Sequence, residues 1–150
     1  MNNNEHIKLI AQNRKAHFNY FLSDFLEAGI ELKGTEIKSL RVNGATIGDS
    51  YVIIRDNEAE IINMYIKIYE QGNLFNHDPL RNRKLLLHKK EIKWLEDKIR
   101  LGGFTVVPTK IYFRKGKAKV EIALAKGKKN YDKRESIKKR DIEREIAKGM

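Results

Sequence analysis

The chain contains no cysteine. That excludes a disulfide framework, a cysteine-ligated zinc site and a thiol nucleophile, and it is compatible with a reducing cytosol. No apolar run approaches the roughly 18–20 residues that a membrane span requires. The opening Met1-Asn2-Asn3-Asn4-Glu5-His6 has neither the basic start nor the apolar stretch of a signal peptide, so a soluble cytoplasmic protein is expected. Internal repeats and heptads are absent too. What remains is enough for one compact domain: 150 residues, of which 41% are hydrophobic and 9% aromatic.

Acidic residues are scarce where basic ones are dense. Residues 1–79 carry 8 basic and 11 acidic side chains, whereas residues 80–150 carry 23 basic and 9 acidic, which accounts for the net charge of +11. The second half gathers its cations in Arg81 to Arg100, Lys110 to Lys119 and Lys126 to Met150. A surface built only for solubility mixes both signs; this one-sidedness favours a polyanion-facing surface, nucleic acid before membrane. A strongly amphipathic helix with a wide apolar face, which a membrane surface would call for, does not accompany the basic tail.

Patterning predicts a mainly β fold with flanking helices. Ile7 to Ala11 is short and apolar, suiting an edge strand. Phe18, Phe21, Leu22, Phe25 and Leu26 recur at i, i+3, i+4, i+7 and i+8, which predicts a helix with an aromatic core-facing stripe, stopped at Gly29. Ile30 to Leu40 reads as extended, interrupted at Gly34 by a bulge or tight bend, with a turn at Val42-Asn43-Gly44. Tyr51 to Ile54 and Ala59 to Ile68 form strands about an Arg55-Asp56-Asn57-Glu58 turn. Gln71 to Asn82 is a loop, and a helix begins near His88, buries Ile92, Leu95 and Ile99, and stops at Gly102-Gly103. Phe104 to Phe113 and Ala118 to Leu124 form a hairpin about Lys115-Gly116, with Pro108 marking an edge or bulge. In the returning strand Ala118, Val120, Ile122 and Leu124 face inward. Five or six short strands avoid exposed edges by curling up, so a small antiparallel oligonucleotide-binding-like (OB-like) β-barrel is expected over residues 1–129. Residues 130–150 place only Ile137, Ile142 and Ile146 among charges; this basic tail is expected to be disordered when free and helical against a polyanion.

Catalytic constellations are lacking. His6, His17, His77 and His88 have no metal-ligand spacing, Lys126-Gly127-Lys128-Lys129 is not a phosphate loop, and Asp49, Asp56 and Asp78 form no two-metal set. His77-Asp78, in a turn with Pro79, reads as loop capping. A binding protein without cofactor or metal is favoured over an enzyme.

Several segments in order carry a resemblance. They are Asn13-Arg14-Lys15-Ala16, Glu27-Ala28-Gly29-Ile30, Gly34-Thr35-Glu36-Ile37-Lys38-Ser39-Leu40-Arg41, and Asn76-His77-Asp78-Pro79 with Arg81. They continue through Arg83-Lys84-Leu85-Leu86-Leu87, Gly103-Phe104-Thr105-Val106-Val107-Pro108, Ala125-Lys126-Gly127-Lys128-Lys129 and Tyr131-Asp132-Lys133-Arg134. With these blocks the chain resembles the SsrA-binding protein (SmpB) family over nearly its whole length. The resemblance implies an RNA-binding adaptor of the OB-like type that binds the tRNA-like domain of transfer-messenger RNA. It implies delivery with elongation factor Tu to stalled ribosomes, where the tail enters the decoding centre and mRNA channel and the nascent chain is tagged.

Carried over by position, Asn13, Glu27 and Leu86 match family positions tied to RNA binding, joined by Arg14, Lys15, Lys38, Arg41, Arg81, Arg83 and Lys84 from the same blocks. Gly127, Lys128, Lys129, Asp132, Lys133 and Arg134, with Lys138, Lys139 and Arg140, match the region that engages the ribosome. Glu27 is an unexpected acid at an RNA surface, but a carboxylate accepts from base or 2′-hydroxyl donors. Two positions depart from the pattern: Phe18 stands where relatives carry histidine, His17 coming one place early, and Ile142 stands where some carry an aromatic. The alternative is a structural protein of the ribosome or another ribonucleoprotein; the third reading, an RNA-processing enzyme, would rest on His77 and Asp78.

Overall fold

Two tight hairpins organise the sheet, and both follow from turn chemistry. In the computed structural model, which describes residues 6–71 and 76–128, β3 (Tyr51–Arg55) and β4 (Glu58–Ile62) meet at Asp56 and Asn57. Both turn residues have positive φ, 54° and 61°, the left-handed pair a two-residue turn of this hand requires and Asp and Asn tolerate. β6 (Thr105–Arg114) and β7 (Lys117–Gly127) meet in the same way at Lys115 and Gly116. Three further strands, β1 (Ile7–Gln12), β2 (Tyr20–Ile30) and β5 (Arg83–Leu86), complete the sheet. The helices are α1 (Arg14–Asn19), α2 (Gly34–Asn43) and α3 (Lys89–Arg100).

The described strands pair antiparallel in the order β1-β6-β3-β4-β5-β2-β7, and β6 also pairs with β7. Six strands therefore close into a ring, with β1 added outside on β6. The ring encloses Ile61, Leu85, Ile111, Ile122 and Leu124, all essentially without solvent contact, and Leu40 of α2 and Leu95 of α3 join the same core. Ala118, Val120, Ile122 and Leu124 turn inward as the alternation predicts. The opposite face of β7 is also covered: Ala125 packs with Val107 and with Ala16 of α1. Pro108 lies at a bulge, since the β6–β7 register shifts between Pro108 and Lys110.

Seven strands form among the described residues where five or six were expected, with β5 unforeseen, and the strand expected over Ala59 to Ile68 ends at Ile62. Two further expectations are overturned outright. Residues 20–30 form β2 and not a helix; only the short α1 precedes it. A bulge produces the helical-looking spacing. Between Ser23 and Leu26 the pairing with β7 gains one residue, and Asp24 there adopts φ 53°. Before the bulge Tyr20 and Leu22 pack beneath α1, whereas after it Leu26, Ala28 and Ile30 face the core. The bulge thus throws even-numbered residues to one face and then the other, mimicking a period near 3.6. Phe21 and Phe25 are consequently not core residues: they are 54% and 49% exposed. Gly29 does not stop a helix; it lies in β2, where a Cβ would come 3.3 Å from Leu86 Cβ.

The second correction is α2, which replaces the extended segment expected to Leu40. Glu36 accepts from the Lys33 N–H at 2.7 Å, which starts the helix, and Gly44 at φ 73° ends it. Its inward face is Glu36, Ser39 and Leu40, so the stripe is mostly polar and invisible to a hydrophobic pattern. The partners of Glu36 come from 45 and 47 residues away. Arg81 grips it with Nε and Nη2 at 2.9 and 2.6 Å, and Arg83 Nε donates at 2.6 Å. Arg83 also donates to the Met64 and Pro79 carbonyls, and both Glu36 and Arg83 are fully buried. His77 completes the clasp, its Nε2 meeting the Ile66 carbonyl and its Nδ1 the Thr35 hydroxyl, each at 2.9 Å. Since the carbonyl only accepts, Nε2 carries the proton and Nδ1 receives the hydroxyl's. The tail, residues 130–150, lies outside the described residues.

Burial pushes the Glu36 carboxyl up, but the hydrogen bonds from Arg81, the Lys33 amide and Arg83 outweigh it and hold the group below its ordinary value. A carboxyl depressed on folding stabilises the protein above its unfolded value, about pH 4.3, and loses that contribution as pH falls through the folded value. Replacing Glu36 with Gln leaves buried Arg83 without its counter-charge and should cost about 3–5 kcal/mol in urea unfolding at pH 7. The gap between the parent and this variant should narrow as the pH is lowered below about 4.

Candidate RNA interface

Along β2, past the bulge, the outer face carries an acid whose geometry is tightly set. Glu27 accepts from the Tyr112 hydroxyl and forms an ion pair with Arg114 at 3.3 Å. Alternation on β6 puts Tyr112 and Arg114 on this face, while Ile111 and Phe113 turn into the core. Tyr112 is flanked by cations, with Lys110 Nζ 5.7 Å and the Arg114 guanidinium 5.8 Å from its ring. Burial and the Glu27 carboxylate push the Tyr112 phenol well above the ordinary tyrosine range. Glu27 is thereby orientated, and the nearby positive charge compensates its own.

The same face continues into an open cleft of ≈ 570 Å³ lined by Glu27, Gly29, Lys84, Leu86 and Lys119, with the start of α3 along one side. Pairing explains the grouping: Gly29 stands opposite Leu86 of β5 and opposite Lys119 of β7. Leu86 is 49% exposed although its neighbour Leu85 is buried, because β5 alternates and Gly29 offers no side chain to cover it. Lys84 pairs with Glu58 at 2.8 Å. The helix beside the cleft starts where Glu91 accepts from the His88 N–H at 2.9 Å.

Of the residues expected from sequence, Glu27, Lys84 and Leu86 meet in this cleft. Arg14 and Lys15 are exposed on α1, where Lys15 contacts Asp49 at 3.3 Å. Lys38 and Arg41 lie on α2, the first 5.9 Å from the Tyr69 ring and the second stacked 4.6 Å from Phe113. Asn13 is only 2% exposed. Its Oδ1 accepts from the Ala16 N–H at 3.0 Å, and its Nδ2 donates to the Pro108 and Ile47 carbonyls at 2.8 and 3.2 Å. It bolts α1 to β6 and to the loop before β3. Arg83 is buried and Arg81 mostly so, both committed to Glu36. Gly127 ends β7 and Lys128 follows it, whereas Lys129, Asp132, Lys133, Arg134, Lys138, Lys139 and Arg140 lie outside the described residues. Sequence reading missed Tyr112, Arg114 and Lys119; the alternation of the β6–β7 hairpin was the signal that could have placed them on the face of Glu27.

Residues 10–150 match the SmpB protein family. The chain belongs to the SmpB family. It is 54% identical over 149 residues to the SsrA-binding protein of Caldicellulosiruptor bescii, covering 99% of this chain and 94% of that one. It is 57% identical over 142 residues to the SsrA-binding protein of Malacoplasma penetrans, covering 95% and 97%. Among solved structures it is similar to a chain described as "tmRNA-SmpB: a journey to the center of the bacterial ribosome", with TM-score 0.67 and 47% identity over 80% of this chain and 85% of that one. Among the described residues of this SmpB family member, no three His, Asp or Glu side chains are grouped to hold a metal, and no helix is long and apolar enough to cross a membrane.

The setting of Tyr112 is open to direct measurement. In a spectrophotometric titration at 295 nm, one of the six tyrosines should remain un-ionised at about pH 11, where exposed phenols have lost their protons. Replacing Tyr112 with Phe should remove that late-ionising component.

Proposed function

We propose that this SmpB family member is a cytoplasmic, non-catalytic RNA-binding adaptor. It binds the tRNA-like domain of transfer-messenger RNA and delivers it, together with elongation factor Tu, to ribosomes stalled without a codon, where the nascent chain is tagged. The observation that carries this reading is the cleft at Glu27 and Leu86. A folded RNA elbow exposes unstacked bases and 2′-hydroxyls, and such an RNA is recognised by apolar contact, fixed acceptors and cations together. Leu86 supplies the first, the orientated Glu27 carboxylate the second, and Lys84 and Lys119 the third. The family membership and the relatives' names point the same way.

The closed strand ring is read as an OB-like barrel, with residues 1–129 as the RNA-binding domain. Arg14, Lys15, Lys38 and Arg41 are the exposed cations proposed to add phosphate contacts. Asn13, Arg81 and Arg83 act from within, by holding α1 and the segment leading into β5. Gly127, Lys128 and Lys129, with the tail at 130–150, are proposed to engage the decoding centre and mRNA channel, the tail being helical there.

Affinity for the tRNA-like domain should fall by roughly 0.7–0.9 log units per log unit of salt for each phosphate neutralised. A filter-binding or fluorescence titration between 50 and 300 mM salt measures it, and binding indifferent to ionic strength would sink the reading. Deleting residues 130–150 should leave that affinity within about twofold while abolishing tagging in a reconstituted translation assay, since the cleft contacts lie wholly within the ring. Equal loss of both would place the tail in the RNA grip instead.

A further inference from the structure

A second RNA-suited surface lies at the other end of β2. Phe21 sits opposite Lys126 in the β2–β7 register, before the bulge, and its ring is 54% exposed. Lys128 Nζ is 5.2 Å from the Phe21 ring centroid. Lys126 Nζ lies 4.5 Å from the ring of half-buried Phe104 and is anchored by the Gly102 carbonyl at 2.5 Å. Gly102 leaves the room Phe104 needs, because a Cβ there would stand 2.9 Å from that ring. Phe21 with Lys128 and Phe104 with Lys126 thus make two ring–ammonium pairs, linked by the cross-strand pairing of Phe21 with Lys126.

An exposed apolar ring bordered by ammonium groups has a specific use. Nucleobases stack on such rings whatever their sequence, and the cations neutralise the flanking phosphates. A folded duplex offers no free base face, so an unpaired nucleotide fits best. Phe21 and Glu27 stand opposite Lys126 and Glu121, five residues apart on β7 and roughly 17 Å along a strand. One strand therefore carries both surfaces too far apart for a single nucleotide and close enough for two RNAs held at once. Phe21 also lies beside the point where the chain leaves the ring toward residues 129–150.

We infer that Phe21, with Lys126 and Lys128 at its sides, is a stacking site for an unpaired nucleotide of ribosomal RNA. This inference rests on the adaptor reading above and adds to it a residue outside both the Glu27–Leu86 cleft and the basic tail.

Three full-length variants test it: Phe21→Leu, Phe21→Trp and Lys126→Gln. Each is titrated against the isolated tRNA-like RNA and, separately, against purified ribosomal small subunits with an empty decoding site. Phe21→Leu and Lys126→Gln should bind the tRNA-like RNA within about twofold of the parent yet lose roughly tenfold toward small subunits, the scale of one lost base stack. Phe21→Trp should keep both affinities, since an aromatic face is retained. Unchanged small-subunit binding by Phe21→Leu overturns the inference, and so does an equal loss toward both RNAs, which would assign Phe21 to the tRNA-like partner. A photoreactive phenylalanine analogue at position 21 should crosslink to ribosomal RNA in the assembled complex; crosslinking only to transfer-messenger RNA overturns it as well. Failure of the parent protein to bind the tRNA-like RNA would instead count against the adaptor reading, and the small-subunit titrations would still decide the role of Phe21. Thermal melts confirm folding of each variant, which the exposure of Phe21 favours.

Discussion

The pairing of β2 with its neighbours is the constraint on which the rest of the molecule depends. This strand closes the ring by joining β5 on one side and β7 on the other. Its bulge at Asp24 is what lets one strand serve two environments. Before the bulge it shelters α1 with Tyr20 and Leu22; after it, Leu26, Ala28 and Ile30 fill the ring. The same half-turn puts Glu27 on the outer face, within reach of Tyr112 and Arg114. A regular strand would have turned Glu27 toward the core, where an ionised carboxylate is too costly to bury without partners.

Charge inside the protein is handled by concentration. Glu36 takes three N–H donors from two arginines and one backbone amide, so two segments some 45 residues apart in sequence converge on a single carboxylate. Such a group contributes little net stability against an apolar substitute, but removing Glu36 leaves buried Arg83 unmatched. The consequence is positional. α2, the segment around His77 and the first residue of β5 are tied together, and β5 then presents Lys84 and Leu86 in alternation. Asn13 acts likewise for α1, with its amide donating to two buried carbonyls. Several of the polar residues that a functional reading of the sequence singles out thus support the surface from behind it.

Much of the molecule was legible in one dimension. The β3–β4 and β6–β7 hairpins follow from Asp-Asn and Lys-Gly turns between β-branched runs, and α3 follows from Ile92, Leu95 and Ile99 with glycines beyond. These are local signals, in which neighbours along the chain are also neighbours in space. The excess of basic residues after position 80 and the ordered family blocks likewise needed no coordinates. Glu27, Lys84 and Leu86 were singled out from those blocks, and the structure brings the three to one cleft.

Tertiary structure decided what local pattern could not. Phe18 to Leu26 has helical spacing, yet from Tyr20 onward β7 claims it, because strand pairing closes a ring and a bulge absorbs the mismatch. Residues 34–43 lack an apolar stripe, yet they are helical, because the buried face is Glu36 and its arginines lie 45 and 47 residues on. Amino-acid order alone determined composition, turns, charge placement and kinship. Which side each residue of β2 faces, and which charges are buried, was set by partners distant in the chain, whose energies enter only once the backbone has brought them together.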